Sequence, residues 1–99
     1  MIKCIIKNPG ERHGHEAEIE PSLDRLQQIV GGPTRFLQVT PVMVLVVNEE
    51  GRIYNMPFNC RIAGIPIHGP LVAAGLDYHN DSGLGDIPIT MSAFRRMLK

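Results

Sequence analysis

Six consecutive apolar residues, Val42 to Val47, constrain the fold of this chain more than any other feature. The run has the length of an ordinary β-strand, and an uninterrupted apolar stretch of that length is typical of a strand buried on both faces. Asn48-Glu49-Glu50-Gly51 follows as a turn, and Arg52 to Met56 then alternates between polar and apolar residues. The sequence therefore predicts a central β-hairpin over about residues 42–56.

Four other segments favour β-strands. Ile2 to Lys7, Thr34 to Thr40 and Leu71 to Ala74 are β-prone in composition, whereas His15 to Glu20 shows only a weak alternation of polar and apolar residues. Asn8-Pro9-Gly10 is a strong turn signal, so the first two segments are expected to pair antiparallel. Pro41 follows the third segment and implies either a break in the strand or an edge position, since proline cannot donate to a strand ladder. Pro57 to Arg61 is expected to leave the sheet as a loop.

Two short helices are predicted. Ser22 can cap the first, over about residues 22–30, and Gly31-Gly32-Pro33 ends it. Thr90 can cap the second, over about residues 91–98. Helical spacing gives each an apolar face, formed by Leu23, Leu26, Ile29 and Val30 in the first and by Met91, Phe94, Met97 and Leu98 in the second.

These elements predict an α+β fold with a small mixed or antiparallel sheet. The chain has 99 residues, which suits one domain over residues 1–99. A domain of this size buries a modest share of its surface, so a homodimer stays open as a way to gain stability.

Charge and hydropathy exclude several classes of function. Ten Lys and Arg balance ten Asp and Glu, which argues against a binder of nucleic-acid phosphates. Lysines interrupt the first seven residues, unlike a signal peptide, and the longest apolar run is far below the ~20 residues that span a bilayer. With its two cysteines expected as free thiols, the chain is predicted to be cytoplasmic.

Residues with catalytic or metal-binding chemistry are few. His13 and His15 would lie on one side of an extended segment, but a zinc site needs two further ligands, so no metal is predicted. Cys60, expected in a loop, with His68 is the only plausible nucleophile and base, and it suggests a small hydrolase as the least favoured alternative. Cys4 is expected in the core. No cofactor motif is present, and no catalytic residue is predicted.

The chain resembles small proteins encoded by phages and other bacterial mobile elements, grouped as domain-of-unknown-function family 3846. The resemblance rests on segments that occur in the same order in that family: Asn8-Pro9-Gly10, Val30-Gly31-Gly32, Val39-x-Pro41, Leu45 to Gly51, Met56-Pro57-x-Asn59, and Ile67 to Gly75. It implies a phage or mobile-element origin and a bacterial cytoplasmic location. It implies no catalytic residues.

Two functions follow as expectations. The first is a non-enzymatic module that binds a bacterial host or phage protein through the hairpin edge and the loop from Pro57 to Arg61, and so modulates a host process. Its polar rim would comprise Asn48, Tyr54, Asn55, Asn59 and Arg61. In an alternative, Asn59 only hydrogen-bonds backbone and fixes the loop.

The second expected function is the binding of a small molecule of the nucleotide type. Such a ligand needs cations and aromatic rings that converge on a pocket. The candidates near the predicted hairpin are Arg52, Tyr54, Arg61 and His68.

Overall fold

A six-stranded antiparallel sheet organises the chain in the computed structural model, which describes all 99 residues. Its main strands run in the spatial order β2-β1-β7-β4-β3, and β8 pairs with β7; β5 and β6 form a separate two-stranded sheet. The elements are β1 (Ile2–Lys7), β2 (His15–Ile19), α1 (Leu23–Val30), β3 (Thr34–Thr40), β4 (Met43–Asn48), β5 (Phe58–Ile62), β6 (Ile65–His68), β7 (Leu71–Leu76), β8 (Leu84–Gly85) and α2 (Met91–Met97). The α+β class and the antiparallel sheet are as predicted.

Strand β7 occupies the centre of the sheet. It pairs with β1 on one side, where Ile6 lies opposite Val72, and with β4 on the other, where Val46 lies opposite the same residue. A strand at Leu71 to Ala74 was the prediction, and the structure extends it to Leu76. A side chain at Gly75 would meet the backbone carbonyl of Asp86, so only glycine fits there without a shift.

The predicted helix α1 is confirmed at both ends. The Ser22 hydroxyl accepts a hydrogen bond from the backbone N–H of Arg25 at 3.2 Å, and Gly31 adopts φ 84° just after the last turn. Leu26 and Val30 are buried against the sheet, but Leu23 is 58 % exposed, so the apolar face is narrower than its spacing predicts.

Helix α2 begins at the predicted cap. The Thr90 hydroxyl accepts from the backbone N–H of Ala93 at 3.1 Å, and Phe94 is fully buried. Neither helix is long and apolar enough to cross a membrane.

The predicted hairpin over residues 42–56 is wrong in its second arm. Strand β4 is buried along its whole length, as expected, but its hairpin partner is β3, which precedes it and joins it through Pro41 and Val42. Residues 51–55 form turns instead, in which the backbone N–H of Met56 donates to the carbonyl of Gly51 at 2.8 Å. These local bonds occupy backbone groups that a ladder with β4 would need.

The segment from Pro57 to Arg61 leaves the main sheet, as predicted, but most of it is not a loop. Phe58–Ile62 forms β5, which pairs with β6 over the face of the main sheet opposite α1. Cys60 therefore lies in a strand and is buried, which corrects its placement in a loop. Helix α2 packs on the same side, so the sheet separates two apolar clusters.

Candidate functional site

A cleft of about 300 Å³ lies between the β3 edge of the main sheet and strand β6. We call this the β3 cleft. Its apolar surface comes from Leu37 and Val47 of the main sheet and from Ile65 and Ile67 of β6. The cleft forms because β5 and β6 cover the middle of this sheet face and leave the edge strand β3 uncovered beside them.

Two arginines line the β3 cleft without an internal partner. Arg35 projects from β3 and Arg52 from the turn after β4, and neither side chain makes an ion pair or a hydrogen bond within the chain. Glu49 also lines the cleft, so its walls carry two positive charges and one negative charge. The balance favours an anionic or carboxylate-bearing ligand.

His68 closes the β3 cleft beside β5. Its Nδ1 lies 3.2 Å from the carbonyl oxygen of Met56, and since a carbonyl only accepts, Nδ1 carries the proton that is donated. The ring of Phe58 meets the imidazole edge-on, with centroids 5.6 Å apart. Both contacts fix the orientation of the ring.

Asn48 lines the β3 cleft, but its side chain forms hydrogen bonds with backbone groups. Its amide nitrogen donates to the carbonyl of Val30 at 3.1 Å, and its oxygen accepts from the backbone N–H of Glu50 at 2.8 Å. The first bond satisfies one of the carbonyls left free at the end of α1. The second holds the turn that positions Arg52.

Asn59 is half-buried, and its side chain contacts Lys7. Lys7 Nζ donates to the Asn59 side-chain oxygen at 2.7 Å, while the Asn59 amide nitrogen donates to the carbonyls of Lys7 and Gly69 at 2.7 and 2.8 Å. Lys7 is only 3 % exposed, and no carboxylate lies within ion-pair distance of it. The Asn59 side chain thus links β5 to β1 and to the connection between β6 and β7.

The turn before β5 and the first residue of β5 expose large apolar side chains. Ile53 and Tyr54 are 74 % and 69 % exposed, and Phe58 is 54 % exposed. We call these three the apolar loop surface. Between them, Asn55 is exposed with φ 54° and Pro57 is exposed. Tyr54 and Asn55 do not line the β3 cleft.

Arg61 is separate from both of these surfaces. Its guanidinium donates to the carbonyl of Gly64 at 3.2 Å, in the turn between β5 and β6, and its backbone pairs with Lys99. Of the four residues that the nucleotide hypothesis requires, the structure brings Arg52 and His68 to the β3 cleft and leaves Tyr54 and Arg61 outside it.

Cys60 and His68 do not form a reactive pair. Burial raises the pKa of the Cys60 thiol, although the charge of Lys7 opposes that shift. Cys60 and Ile67 lie opposite one another in the ladder and are buried in the same apolar cluster, whereas His68 lines the β3 cleft and is only half-buried. No hydrogen bond joins the two side chains, and the His68 Nδ1 proton is donated to Met56.

Of His13 and His15, which were considered as metal ligands, only His15 makes a side-chain hydrogen bond. His15 Nδ1 lies 2.9 Å from a carboxylate oxygen of Glu11, while desolvation and the charge of Arg95 lower the pKa of His13. No three His, Cys, Asp or Glu side chains lie close enough together to hold a metal ion.

A second groove, of about 600 Å³, lies over β1 and β2. Glu16 and Glu18 flank it, and Ile87, Ile89 and Met91 give it an apolar side. None of the residues predicted for binding lines this groove.

Comparison with known proteins identifies the family of the chain. The model of the family described as Domain of unknown function (DUF3846) matches residues 2–98. The chain belongs to this family. No curated protein matches the DUF3846 chain, and no solved structure matches it.

The segments that carry the DUF3846 resemblance meet one another in the fold. Val30 and Gly31 end α1, and Asn48 binds the Val30 carbonyl from the end of β4. A Cβ at Gly32 would lie 3.1 Å from the Asn48 amide nitrogen, so a small residue suits that position. Asn59 binds Lys7, which directly precedes Asn8-Pro9-Gly10. In this chain, these contacts hold the elements that carry the motif residues together.

Sequence reasoning missed Arg35 and Lys7. Arg35 and Leu37 are two positions apart in β3, and residues at that spacing in a strand face the same side. This spacing was the available signal for Arg35. Lys7 ends an apolar strand, where a lysine is ordinarily exposed, and nothing local in the sequence indicates its burial.

Proposed function

We propose that this DUF3846 domain is a non-enzymatic protein-interaction module that acts in the bacterial cytoplasm and binds its partner through the apolar loop surface. The observation that carries the proposal is the concentration of exposed apolar side chains there. Eight large hydrophobic residues of the chain are exposed, and three of them, Ile53, Tyr54 and Phe58, fall within six consecutive positions.

The chemistry of these side chains suits a binding hot spot. Tyrosine and arginine are enriched among residues that dominate binding energy, and Arg52 directly precedes Ile53 and Tyr54. The backbone is held by local hydrogen bonds, such as that from Tyr54 N–H to the Glu50 carbonyl at 3.1 Å. Such preorganisation lowers the entropy that is lost when a partner binds.

The partner that we propose is a protein of the bacterial host or of a phage, and binding would modulate a host process. This part rests on the resemblance to proteins of phages and mobile elements. A second copy of the chain is the other partner that the same surface could accept, and gel filtration of wild type and of Tyr54→Ala separates the two.

The test compares partner capture by two variants of matched chemistry. Wild type, the double variant Tyr54→Ala/Phe58→Ala, and Tyr78→Ala are tagged and incubated with bacterial lysate, and bound proteins are quantified. Tyr78 is the control, because it is 83 % exposed and lies outside the apolar loop surface. Loss of hot-spot side chains should weaken capture about 30-fold, as a change of about 2 kcal/mol requires.

Equal capture by wild type and the double variant would contradict the proposal, as would equal losses in both variants. Thermal melting checks that the variants fold. Because the substituted side chains are exposed, the melting temperatures should stay close to that of wild type.

A small organic anion is the second candidate ligand. Arg35, Arg52 and His68 border the apolar wall of the β3 cleft, whose volume is at the lower end for ligand sites. Melting in the presence of a nucleotide panel tests it, because a ligand selective for the folded state raises the melting temperature. A shift lost in Arg52→Gln supports this candidate, and no shift with any nucleotide removes it.

A further inference from the structure

The free edge of β3 lies directly beside the β3 cleft. Strand β3 ends the sheet order, so one side of its backbone has no strand partner. The opposite edge, β2, presents the exposed carboxylates of Glu16 and Glu18, a common protection against added strands. Strand β3 has one charged residue, Arg35, and a Phe36 side chain that is 44 % exposed.

The register shows which backbone groups are free. The N–H of Glu49 donates to the carbonyl of Pro33, and Arg35 and Leu37 follow at alternate positions opposite Val47 and Leu45. In an antiparallel ladder these alternate residues bond to the neighbouring strand. The backbone N–H and C=O groups of Thr34, Phe36 and Gln38 therefore point away from β4.

Side chains of the same strand line the β3 cleft. Arg35 and Leu37 both face it, two residues apart, with Ile65 and Ile67 on the far wall. A segment that pairs with the free edge would place alternate side chains about 5 Å from Arg35 and Leu37 on this face. A carboxylate beside Arg35 and an aliphatic side chain beside Leu37 complement the two positions in charge and polarity.

We infer that β3 binds an extended segment of the partner protein by strand addition, and that the β3 cleft selects an acidic residue and an aliphatic residue two positions apart in that segment. The inference rests on the proposed function, because the segment belongs to the same partner. Main-chain hydrogen bonds supply affinity in such complexes, and the alternate side chains supply specificity. Arg35 binds the carboxylate, and Arg52 adds a second positive charge.

The test uses blocked hexapeptides in which two positions, two residues apart, are varied through all amino acids. Wild-type protein is the bait, and the amides of selected peptides that contact β3 are mapped by NMR. We expect Asp or Glu to be selected at one position and Val, Ile or Leu at the other. Binding of a selected peptide should weaken about tenfold in Arg35→Gln, because a charged hydrogen bond is lost, and should stay unchanged in Arg96→Gln.

Two further experiments distinguish strand addition from other modes of peptide binding. N-methylation of the alternate peptide amides that face β3 should abolish binding, whereas methylation of the intervening amides should not. Titration with AMP shows whether a free anion occupies the β3 cleft. Selection of no peptide, selection without an acid, insensitivity to Arg35→Gln, or amide shifts with AMP alone would each overturn the inference.

Tyr54→Ala, and not the double variant, separates this outcome from that of the loop experiment, because Phe58 contacts His68 of the β3 cleft. Tyr54→Ala should leave peptide binding intact, since Tyr54 does not line the β3 cleft. If no peptide is selected but partner capture still depends on the apolar loop surface, strand addition alone is overturned. Peptide binding together with capture that is insensitive to the apolar loop surface overturns the proposed loop contact instead.

Discussion

The contact between Lys7 and Asn59 holds β1 and β5 together, and its removal has a calculable cost. Asn59→Ala deletes the acceptor 2.7 Å from Lys7 Nζ and the donor shared by the carbonyls of Lys7 and Gly69. The Lys7 amino group retains only the Asn59 carbonyl at 3.4 Å. With Lys7 3 % exposed, water cannot readily replace the lost partner.

The magnitude follows from these three groups. A buried polar group left without a partner costs about 1–3 kcal/mol. Asn59 itself is only half-buried, so water can reach the carbonyls that it leaves, and the sum stays near the upper end of a single loss, that of the buried Lys7 amino group. We expect Asn59→Ala to lower the free energy of unfolding by about 3 kcal/mol. For a domain of this size that corresponds to a fall of roughly 12–24 °C in the melting temperature.

Urea denaturation followed by circular dichroism measures the change, and Lys7→Met completes a double-mutant cycle. Methionine keeps the apolar stem and removes the amino group, so the double variant should lose less stability than the two single variants together. Glu18→Ala, at an exposed strand position, is the control. A cost below about 0.5 kcal/mol for Asn59→Ala, or strict additivity in the cycle, would refute this account of the contact.

Three further outcomes follow from the structure. Gly75→Ala should cost about 1–3 kcal/mol in urea denaturation, because its Cβ would meet the Asp86 carbonyl; an unchanged midpoint contradicts this. The hydrogen bond with His15 lowers the pKa of Glu11, so the stabilisation that it gives is present above the unfolded-state pKa and is lost as the pH falls through the folded-state value. Between about pH 5 and pH 3 the melting temperature of wild type should therefore fall more than that of Glu11→Gln, and equal falls would contradict this reasoning. Burial raises the pKa of Cys4 to about 11, so Ellman's reagent at about pH 8 should modify it rapidly only in urea, and rapid modification of the native protein contradicts its burial.

Local patterns predicted the elements of this fold well where one segment decides its own structure. The caps at Ser22 and Thr90 and the apolar run of β4 each depend on residues within a few positions. Strand pairing does not. Arg52 to Met56 has strand-like alternation, yet β3 supplies the partner of β4 through the short Pro41-Val42 connection, and residues 51–55 bond among themselves in turns.

The candidate site shows the same division. Arg52 and His68 were found because they lie near the apolar run in sequence. Lys7 and Asn59 are 52 positions apart, and their contact depends on β5 folding back over the sheet. Arg35 became a candidate only when β3 was placed at the edge beside β6. A single sequence carries no local signal for either arrangement.

The central position of β7 constrains the order in which this protein can assemble. The hairpins β1–β2 and β3–β4 each form from neighbouring segments, but they share no ladder until residues 71–76 insert between them. Folding therefore waits on a late, non-local step, which slows it relative to a sheet built from successive hairpins. The same arrangement divides the chain for fragment complementation: a fragment that ends before β7 carries both hairpins, and we expect their shared sheet to form only when a second fragment that begins with β7 is added.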